Sequence, residues 1–342
     1  MSSSHADRGA IVDGTAEAAR CWELTWDRGR AEIFALGASL HNLTFTMRDG
    51  SSVQPLAEAP WRGDPQVTTD PEIPPHLKAL GGEWPCVPFG TTEVDPSHHG
   101  HGSDNLWQMD EHTAEAVTLS IEYPEEHPIA RLERRIRGVR GAPAVELELS
   151  VLARRDCRLP VGLHPIFRLP ESGQRIHVDP GAFQSGHTFP RTFEPGVSRL
   201  AVDDRFSSLA AVPLAGGGTA DVSCAPAALR EEILLMTGTT GQVTVSYPDV
   251  GYSVTLDWNA EDLPALVVWL SNCGRAAAPW HNRFRGVGIE PVAAYFDNAA
   301  IAASAPPGSV LGVDFSAGLR WNTRYRISAS ALDVLQDEGR RK

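Results

Sequence analysis

Apolar and polar residues alternate with a period of two along most of this 342-residue chain. Five segments show the alternation clearly, at residues 117–123, 145–151, 243–247, 253–258 and 325–329. A period of two places every second side chain on the same face of an extended backbone, so each segment is predicted to be a β-strand with one buried face. Turn-forming clusters, drawn from 31 glycines and 26 prolines, separate these segments.

The run at residues 265–270, Ala-Leu-Val-Val-Trp-Leu, is apolar throughout. A continuous apolar strand needs cover on both faces, which predicts a central position in a large sheet. Helical periodicity is rare, and short helices are expected only near residues 207–211 and in the charged tail. We therefore predict an all-β protein built as a large antiparallel β-sandwich with few short helices.

No internal repeat or compositional break divides the chain, and β-sandwiches can exceed ~250 residues as one domain. We predict a single domain over residues 21–330. A flexible N-terminus at residues 1–20 precedes it, and a charged C-terminal tail at residues 331–342 follows it.

The chain carries 43 acidic and 30 basic residues, a formal net charge of −13. Such a surface repels polyanions, so neither nucleic acid nor an anionic membrane is expected as a partner. No segment approaches the ~20 apolar residues of a membrane span and the first residues lack a signal-peptide core, so a cytoplasmic location is expected. The five cysteines form no C-x-x-C pair and predict neither a disulfide framework nor a zinc site.

Glu290 lies in an apolar, β-favouring run between Ile289 and Pro291. Burying a carboxylate is costly unless hydrogen-bond donors hold it, so Glu290 is expected either to face water or to be held in a pocket. In a pocket it is a candidate base. The alternative is a paired carboxylate that only supports the loop around Arg283 and Arg285.

Two upstream segments contain candidate acids, His98-His99-Gly-His101 and Leu163-His164-Pro. Imidazole and carboxyl groups have complementary and tunable pKa values, as proton transfer near pH 7 requires. A lone His164 is more simply interpreted as a buried histidine bonded to a backbone carbonyl. The presence of a candidate base and further histidines favours acid/base chemistry without a cofactor.

His99 and His101, followed by Asp104, also allow a metal site, because two imidazoles two residues apart can reach one ion. Glycines at positions 100 and 102 favour a loop instead, and His98 and His101 are equally explained as solvated loop residues. Phosphate-binding and dinucleotide-binding glycine loops are missing, as is a G-x-S-x-G nucleophile motif. The sequence predicts no metal and no cofactor.

Nine tryptophans are many for this length. The face of an indole can cover the apolar face of a sugar ring while its N–H reaches a hydroxyl. Trp84 and Trp107 stand in polar, glycine-rich surroundings and are predicted to line such a site. Trp269, inside the apolar run, is predicted to pack in the core.

Over roughly residues 25–330 the sequence resembles the aldose 1-epimerase (galactose mutarotase-like) family. The resemblance rests on the order and spacing of short motifs, each weak alone. These are residues 80–90 (LGGEWPCVPFG), His99-Gly with Trp107 eight residues later, Leu163-His164-Pro-Ile-Phe167, Pro279-Trp280 with Arg283, and Gly288-Ile-Glu290-Pro.

The resemblance implies a large antiparallel β-supersandwich and a small-molecule sugar substrate. It implies that Glu290 is the general base, His164 the general acid, and His99 a second histidine that binds and orients the sugar. It places the expected substrate contacts at five further positions: Trp84, Ser103, Trp107, Trp280 and Arg283.

Two departures from the family pattern bear on the substrate. Sugar-phosphate mutarotases often carry an arginine four residues after the first histidine, where this chain has Ser103. The family's hydroxyl-binding aspartate has no counterpart within a matched motif, although Glu231, Glu232 and Asp249 lie in the right part of the chain.

The sequence thus predicts an aldose 1-epimerase, a mutarotase that interconverts the α and β anomers of a free aldose. The first alternative is a hexose-6-phosphate 1-epimerase that uses Arg283 and Arg285 for the phosphate. The second is a catalytically silent carbohydrate-binding protein. The third is a metal-dependent β-sandwich enzyme that uses His99, His101 and Asp104.

Overall fold

The structure, a computed structural model, describes residues 20–170, 174–224 and 229–332. β-Strands make up most of its regular structure, as the alternation predicts. In chain order the strands among these residues are β1 Cys21–Trp26, β2 Gly29–Phe34, β3 Leu40–Thr46, β4 Ser52–Val53, β5 Pro85–Cys86, β6 Gln108–His112, β7 Ala116–Glu122, β8 Ile129–Gly138, β9 Ala144–Ala153, β10 Cys157–Leu159, β11 Val161–Leu163, β12 Ile166–Arg168, β13 His177–Asp179, β14 Ser185–Thr188, β15 Arg205–Phe206, β16 Val212–Pro213, β17 Thr219–Ala220, β18 Arg230–Thr237, β19 Gln242–Tyr247, β20 Tyr252–Trp258, β21 Ala265–Asn272, β22 Arg285–Ala293, β23 Val313–Phe315 and β24 Arg320–Ala331.

Helices are short within the described part of the chain. The α-helices are α1 Pro65–Thr68, α2 Pro75–Lys78, α3 His101–Asp104 and α4 Ala299–Ala302, and 3₁₀ turns occupy Leu209–Ala211 and Pro248–Val250. The helix predicted near residues 207–211 is present as the first 3₁₀ turn. No helix among these residues has the length and apolar character that crossing a membrane requires.

Two eight-stranded antiparallel sheets form the body of the protein. The first, called the site sheet, has the order β15-β14-β18-β21-β22-β11-β5, with β12 also paired to β22. The second, called the outer sheet, has the order β13-β19-β20-β24-β9-β8-β7-β6. A four-stranded sheet, β1-β2-β3-β4, and the pairs β10-β23 and β16-β17 complete the architecture. The predicted all-β, antiparallel fold class is confirmed.

The five segments predicted from alternation are strands of the outer sheet, in β7, β9, β19, β20 and β24. In β9, for example, Val145, Leu147, Leu149 and Val151 are fully buried. The residues between them are only half-buried. One face of the outer sheet therefore packs on the core while the other meets solvent.

β21 lies between β18 and β22 in the site sheet, in the central position that its apolar run predicts. Residues 266, 268 and 270 pack in the main hydrophobic core, which the two large sheets share. Residues 265, 267 and 269 pack on the opposite face in a second apolar cluster. The site sheet is covered on both faces, which explains why its strands show no alternation.

A buried ion pair joins the two large sheets. Arg134 of β8 pairs with Glu83, which lies two residues before β5, and both side chains are fully buried. The Tyr325 hydroxyl donates to Glu83 over 2.8 Å and accepts from Arg134 over 3.0 Å. Arg134 also donates to the carbonyl of Ala38. Because a buried charge without a partner is very costly, this pair fixes the segment that leads to Trp84.

The two ends of the chain lie outside the described residues, apart from residues 20, 331 and 332. The flexible N-terminus and the charged tail therefore stay predictions, as do the single-domain boundaries at residues 21 and 330. Residue 331, which was predicted to open the tail, is the last residue of β24.

Candidate active site

Glu290 and His164 meet in one pocket. Glu290 lies in β22, and His164 directly follows β11, the neighbouring strand of the site sheet. Both side chains line the same pocket and are almost fully buried. Oε1 of Glu290 lies 3.6 Å from Nε2 of His164, slightly beyond direct hydrogen-bond distance. The two groups predicted as an acid/base pair are thus neighbours in space although 126 positions separate Glu290 from His164 in sequence (290 − 164).

The pleat of β22 turns Glu290 into the pocket. Ile289 packs in the main core, whereas Val292 on the face of Glu290 packs in the second cluster. Gly288 shares that face, and a Cβ atom added to it would lie 2.2 Å from Oε1 of Glu290. The missing side chain at position 288 therefore leaves the room that the carboxyl group occupies. Across the strand pair Glu290 stands opposite Val267 of β21.

Trp84 positions His164 in two ways. The His164 backbone N–H donates to the Trp84 carbonyl over 2.9 Å. The two rings also stack, with centroids 4.1 Å apart and planes 13° apart. Nδ1 of His164 is buried and has no hydrogen-bond partner among the described residues. Trp84 and Trp280, both predicted as substrate contacts, line this pocket.

Burial sets the protonation of the central pair. It raises the pKa of Glu290 well above its usual range, and the charge of Asp297 raises it further. Burial lowers the pKa of His164 to about 3, with smaller contributions from His98 and His76. Both shifts disfavour the charged form, as desolvation does. Desolvation therefore favours the uncharged forms of both groups, a carboxylic acid beside an imidazole.

His99 lies across the pocket from His164, with ring centroids 4.8 Å apart and planes at 84°. Its Nδ1 accepts a 3.2 Å hydrogen bond from the Gly90 backbone N–H, and burial lowers its pKa well below the usual value. The neutral ring must then carry its proton on Nε2, which makes His99 a hydrogen-bond donor to a ligand. Ser103 was expected to contact substrate but is buried outside the pocket lining, where its hydroxyl donates to the His99 carbonyl over 2.7 Å.

Two other residues expected at the substrate lie outside the pocket lining. Trp107 is buried in the main core, where its indole N–H donates to the Gly102 carbonyl over 2.8 Å. Arg283 is exposed, donates to the Pro279 carbonyl over 3.2 Å and lies over the ring of Trp61. In this structure Trp107 packs in the core and Arg283 packs on Trp61, so neither side chain lies at the pocket.

The residues of the metal alternative have separate partners. Nδ1 of His101 lies 3.1 Å from the amide nitrogen of Asn105. Asp104 holds His76, accepting from its backbone N–H over 2.9 Å and from its Nδ1 over 2.8 Å. Within residues 20–170, 174–224 and 229–332, no group of three or more His, Cys, Asp or Glu side chains is arranged to hold a metal ion.

Four lining residues with ionisable side chains are missing from the predicted site residues: His76, His98, Arg275 and Asp297. His98 is next to a predicted residue, and its Nε2 lies 3.6 Å from Oδ2 of Asp297. His76 comes from the short helix α2, and Arg275 and Asp297 come from the connections on either side of β22. Sequence spacing gives no signal for these three positions, because only the tertiary fold brings the connections to the pocket.

Of the three carboxylates considered for sugar hydroxyls, Glu231 contacts two residues of the pocket wall, Trp269 and Arg275. It is fully buried and accepts hydrogen bonds from the indole N–H of Trp269 over 3.1 Å and the hydroxyl of Ser271 over 2.5 Å. Trp269 itself lines the pocket. Glu232 and Asp249 form ion pairs with arginines elsewhere. Glu231 thus supports the wall from behind.

Solved structures with similar folds cover nearly the whole chain. A galactose mutarotase-like protein from Lactobacillus casei has 17% sequence identity and a TM-score of 0.59, over 91% of this chain and 100% of that one. An aldose epimerase homologue from C. elegans has 14% identity and a TM-score of 0.61, over 92% and 99%. A galactose mutarotase-like protein from Clostridium acetobutylicum has 12% identity and a TM-score of 0.58, over 91% and 95%.

No protein-family model matches the sequence, and no curated protein matches it. At 12–17% identity the structural similarities establish the fold. The chain has the galactose mutarotase-like fold, and the resemblance seen in the sequence is confirmed at that level. These similarities assign no reaction to the pocket, whose chemistry depends on the residues that line it.

Proposed function

We propose that the protein interconverts the α and β anomers of a free aldose by acid/base ring opening and reclosure. The observation that carries the proposal is the buried pair of Glu290 and His164, 3.6 Å apart in an aromatic-walled pocket. Ring opening requires one group that gives a proton to the ring oxygen and one that takes a proton from the anomeric hydroxyl. A neutral carboxylic acid beside a neutral imidazole supplies one of each.

In the opening step Glu290 donates its proton to the ring oxygen while Nε2 of His164 accepts the proton of the anomeric hydroxyl. The bond between C1 and the ring oxygen breaks, and its electron pair stays on that oxygen. The product is the open-chain aldehyde beside a carboxylate and an imidazolium. Rotation about the C1–C2 bond then presents the other face of the aldehyde.

Closure reverses both transfers. The carboxylate of Glu290 takes the proton from the attacking hydroxyl, and the imidazolium of His164 protonates the carbonyl oxygen. The neutral pair is restored without net uptake of protons, and the charged pair exists only between the two steps. The resemblance implies that Glu290 is the general base. In this scheme Glu290 is the base in ring closure and the acid in ring opening, because its raised pKa and the lowered pKa of His164 favour an uncharged pair before opening.

His99 has a different task in this scheme. Its low pKa and its bonded Nδ1 make it a neutral donor through Nε2. It binds and orients a sugar oxygen, and the same interaction helps to balance negative charge that develops there. Trp84 and Trp280 provide the flat apolar walls on which a sugar ring packs.

The placement of the arginines favours a free aldose over a 6-phosphate. Arg283 is exposed, lies over the ring of Trp61 and does not line the pocket. Arg285 bonds to Asn272 and to the carbonyl of Pro170 and does not line the pocket. The two arginines named for a phosphate therefore do not converge on the candidate site.

The test is an NMR saturation-transfer measurement of anomer exchange across free aldoses and their 6-phosphates. We expect acceleration of at least one free aldose, with a kcat/KM at least tenfold above that of any phosphorylated hexose. Glu290→Gln keeps the size of the side chain but cannot carry out the proton cycle, and its kcat should fall by about 10²- to 10⁴-fold.

Each alternative gives a different result. A silent carbohydrate-binding protein binds sugar without faster exchange. A metal-dependent enzyme loses its activity in a chelator and regains it with one divalent ion. A Glu290→Gln variant that keeps more than about a tenth of the wild-type kcat would rule out the acid/base mechanism.

A further inference from the structure

Arg275 lies against three aromatic rings in the wall of the pocket. It lies in the connection between β21 and β22 and lines the pocket. Its guanidinium carbon is 4.7 Å from the ring centroid of Trp280, 5.0 Å from that of Phe193 and 5.4 Å from that of Trp269. Contact with several aromatic faces stabilises a guanidinium and restricts its orientation.

Glu231 holds the inner side of the same guanidinium. Its Oε2 lies 3.5 Å from Nε of Arg275, which is buried. Glu231 cannot turn away, because Ser271 and Trp269 both donate to its carboxylate. The side chain of Arg275 is nevertheless 26% exposed, and it donates no hydrogen bond to any other described residue. Its terminal nitrogens are thus the part left for a ligand.

The charges around Arg275 argue against an anionic ligand. Glu231 already balances its charge, and Asp297 lines the same pocket with a side chain that is 19% exposed. A phosphate or carboxylate would gain from Arg275 and be repelled by Asp297. A hydroxyl both donates and accepts, so it complements a guanidinium and a carboxylate that face one pocket.

We propose that Arg275 is a specificity-determining residue that binds two neighbouring hydroxyls of an uncharged aldose through its terminal N–H groups. The inference rests on the proposed function and extends it to substrate choice. Glu231 and the three aromatic rings act as positioning residues that keep the planar N–H fork in one orientation. A lysine side chain lacks this forked arrangement of N–H donors.

The test compares Arg275→Lys and Arg275→Met with Arg283→Met. Lysine keeps a positive charge against the aromatic rings but loses the fork, and methionine loses both. Arg283 is the matched control, because it also lies over a tryptophan but outside the pocket. For the best aldose we expect KM to rise tenfold or more in both Arg275 variants, with kcat within about threefold of wild type. Arg283→Met should leave both constants unchanged.

Monodeoxy aldoses identify the hydroxyls involved. In the wild type, the analogue that lacks a hydroxyl bound by Arg275 should bind about tenfold more weakly than the parent sugar, by isothermal titration calorimetry. In Arg275→Met, the parent and that analogue should bind equally. If Arg275 serves only packing, Arg275→Met should have a lower melting temperature. The ratio of the two dissociation constants, for the parent sugar and its deoxy analogue, should then be the same as in the wild type.

The outcomes separate the two proposals. An unchanged KM in both Arg275 variants, or a wild-type KM in Arg275→Lys, would overturn the role of the forked N–H donors. Anomer exchange by the wild type would still support the proposed function in either case. Sugar binding without exchange would overturn the function, and the dissociation constants of the Arg275 variants would still test the recognition. Failure of the wild type to bind any aldose would overturn both.

Discussion

Gly288 and Glu290 share one face of β22, and a Cβ atom at position 288 would stand 2.2 Å from Oε1 of Glu290. The carboxyl group therefore occupies space that every other amino acid at position 288 would fill. Real Cβ atoms do not approach an oxygen that closely, so a side chain there forces the carboxyl group to move.

Gly288→Ala should therefore lower kcat by about 10- to 100-fold while the protein stays folded, because a misplaced acid loses much of the ~10²- to 10⁴-fold that proton transfer contributes. A stability loss of about 1–3 kcal/mol is expected from the overpacking. Gly216→Ala is the control, since a Cβ at that position meets no atom within 4 Å. Wild-type kcat in Gly288→Ala would show that the carboxyl position does not matter for turnover.

His164→Asn should lose more rate than His99→Asn. His164 is assigned a proton transfer, so its replacement should lower kcat by about 10²- to 10⁴-fold. His99 is assigned a hydrogen bond, so its loss should appear largely in KM. Both constants come from saturation-transfer rates at several sugar concentrations. Small, equal losses at the two positions would contradict the assignment.

Burial of His164 makes stability depend on pH. Its pKa is about 3 in the folded protein and ~6.5 in an unfolded chain. Between these values the unfolded chain binds a proton that the folded protein does not, so the stabilising contribution is present above about pH 6.5 and is lost as pH falls towards 3. The melting temperature of His164→Asn should consequently fall less steeply than that of wild type between pH 7 and pH 4.

A matched control for that measurement is His177→Asn, at an exposed position of β13. Its melting temperature should follow the wild-type slope. Glu290 acts in the opposite direction: its raised pKa means that its contribution is lost as pH rises. Identical slopes for wild type and His164→Asn would show that His164 is not held neutral by burial.

Arg134→Met should destabilise the protein by about 3–5 kcal/mol, because it leaves the carboxylate of Glu83 buried without its partner. The double variant Glu83→Gln, Arg134→Met removes both charges and should recover much of that loss. Urea unfolding gives the free energies. Arg324→Met, which breaks an exposed ion pair with Glu148, should change stability little. No recovery in the double variant would argue that packing, and not charge, dominates at Arg134.

The sequence predicts the outer sheet better than the site sheet for a physical reason. Apolar and polar residues alternate where one face of a strand meets solvent, as in β9. The five predicted segments all lie in such strands of the outer sheet. In the site sheet both faces are covered, so β18 and β22 carry no period-two signal. There the informative feature is an exception, a carboxylate at position 290 in an apolar run.

Only part of the candidate site can be predicted from the sequence, for a related reason. Glu290 and His164 stand in short motifs, whereas Arg275 and Asp297 come from connections whose path depends on the whole fold. Trp107 was expected at the sugar because its sequence surroundings are polar and glycine-rich. In the structure the indole N–H of Trp107 donates to a backbone carbonyl and its ring is buried in the core. The residues around Trp107 in sequence do not indicate this placement.

The pairing of β21 with β22, which sets Glu290 opposite Val267, divides the site into a fixed part and an adaptable part. Slipping this register by one residue would carry Glu290 through the sheet to the face of the main core, so an insertion or deletion within these strands would remove it from the pocket. The connection that bears Arg275 and Trp280 lies outside this strand pairing. Under the proposed function, a change of length in that connection would alter the side of the pocket that bears Arg275 while Glu290 kept its place in the sheet.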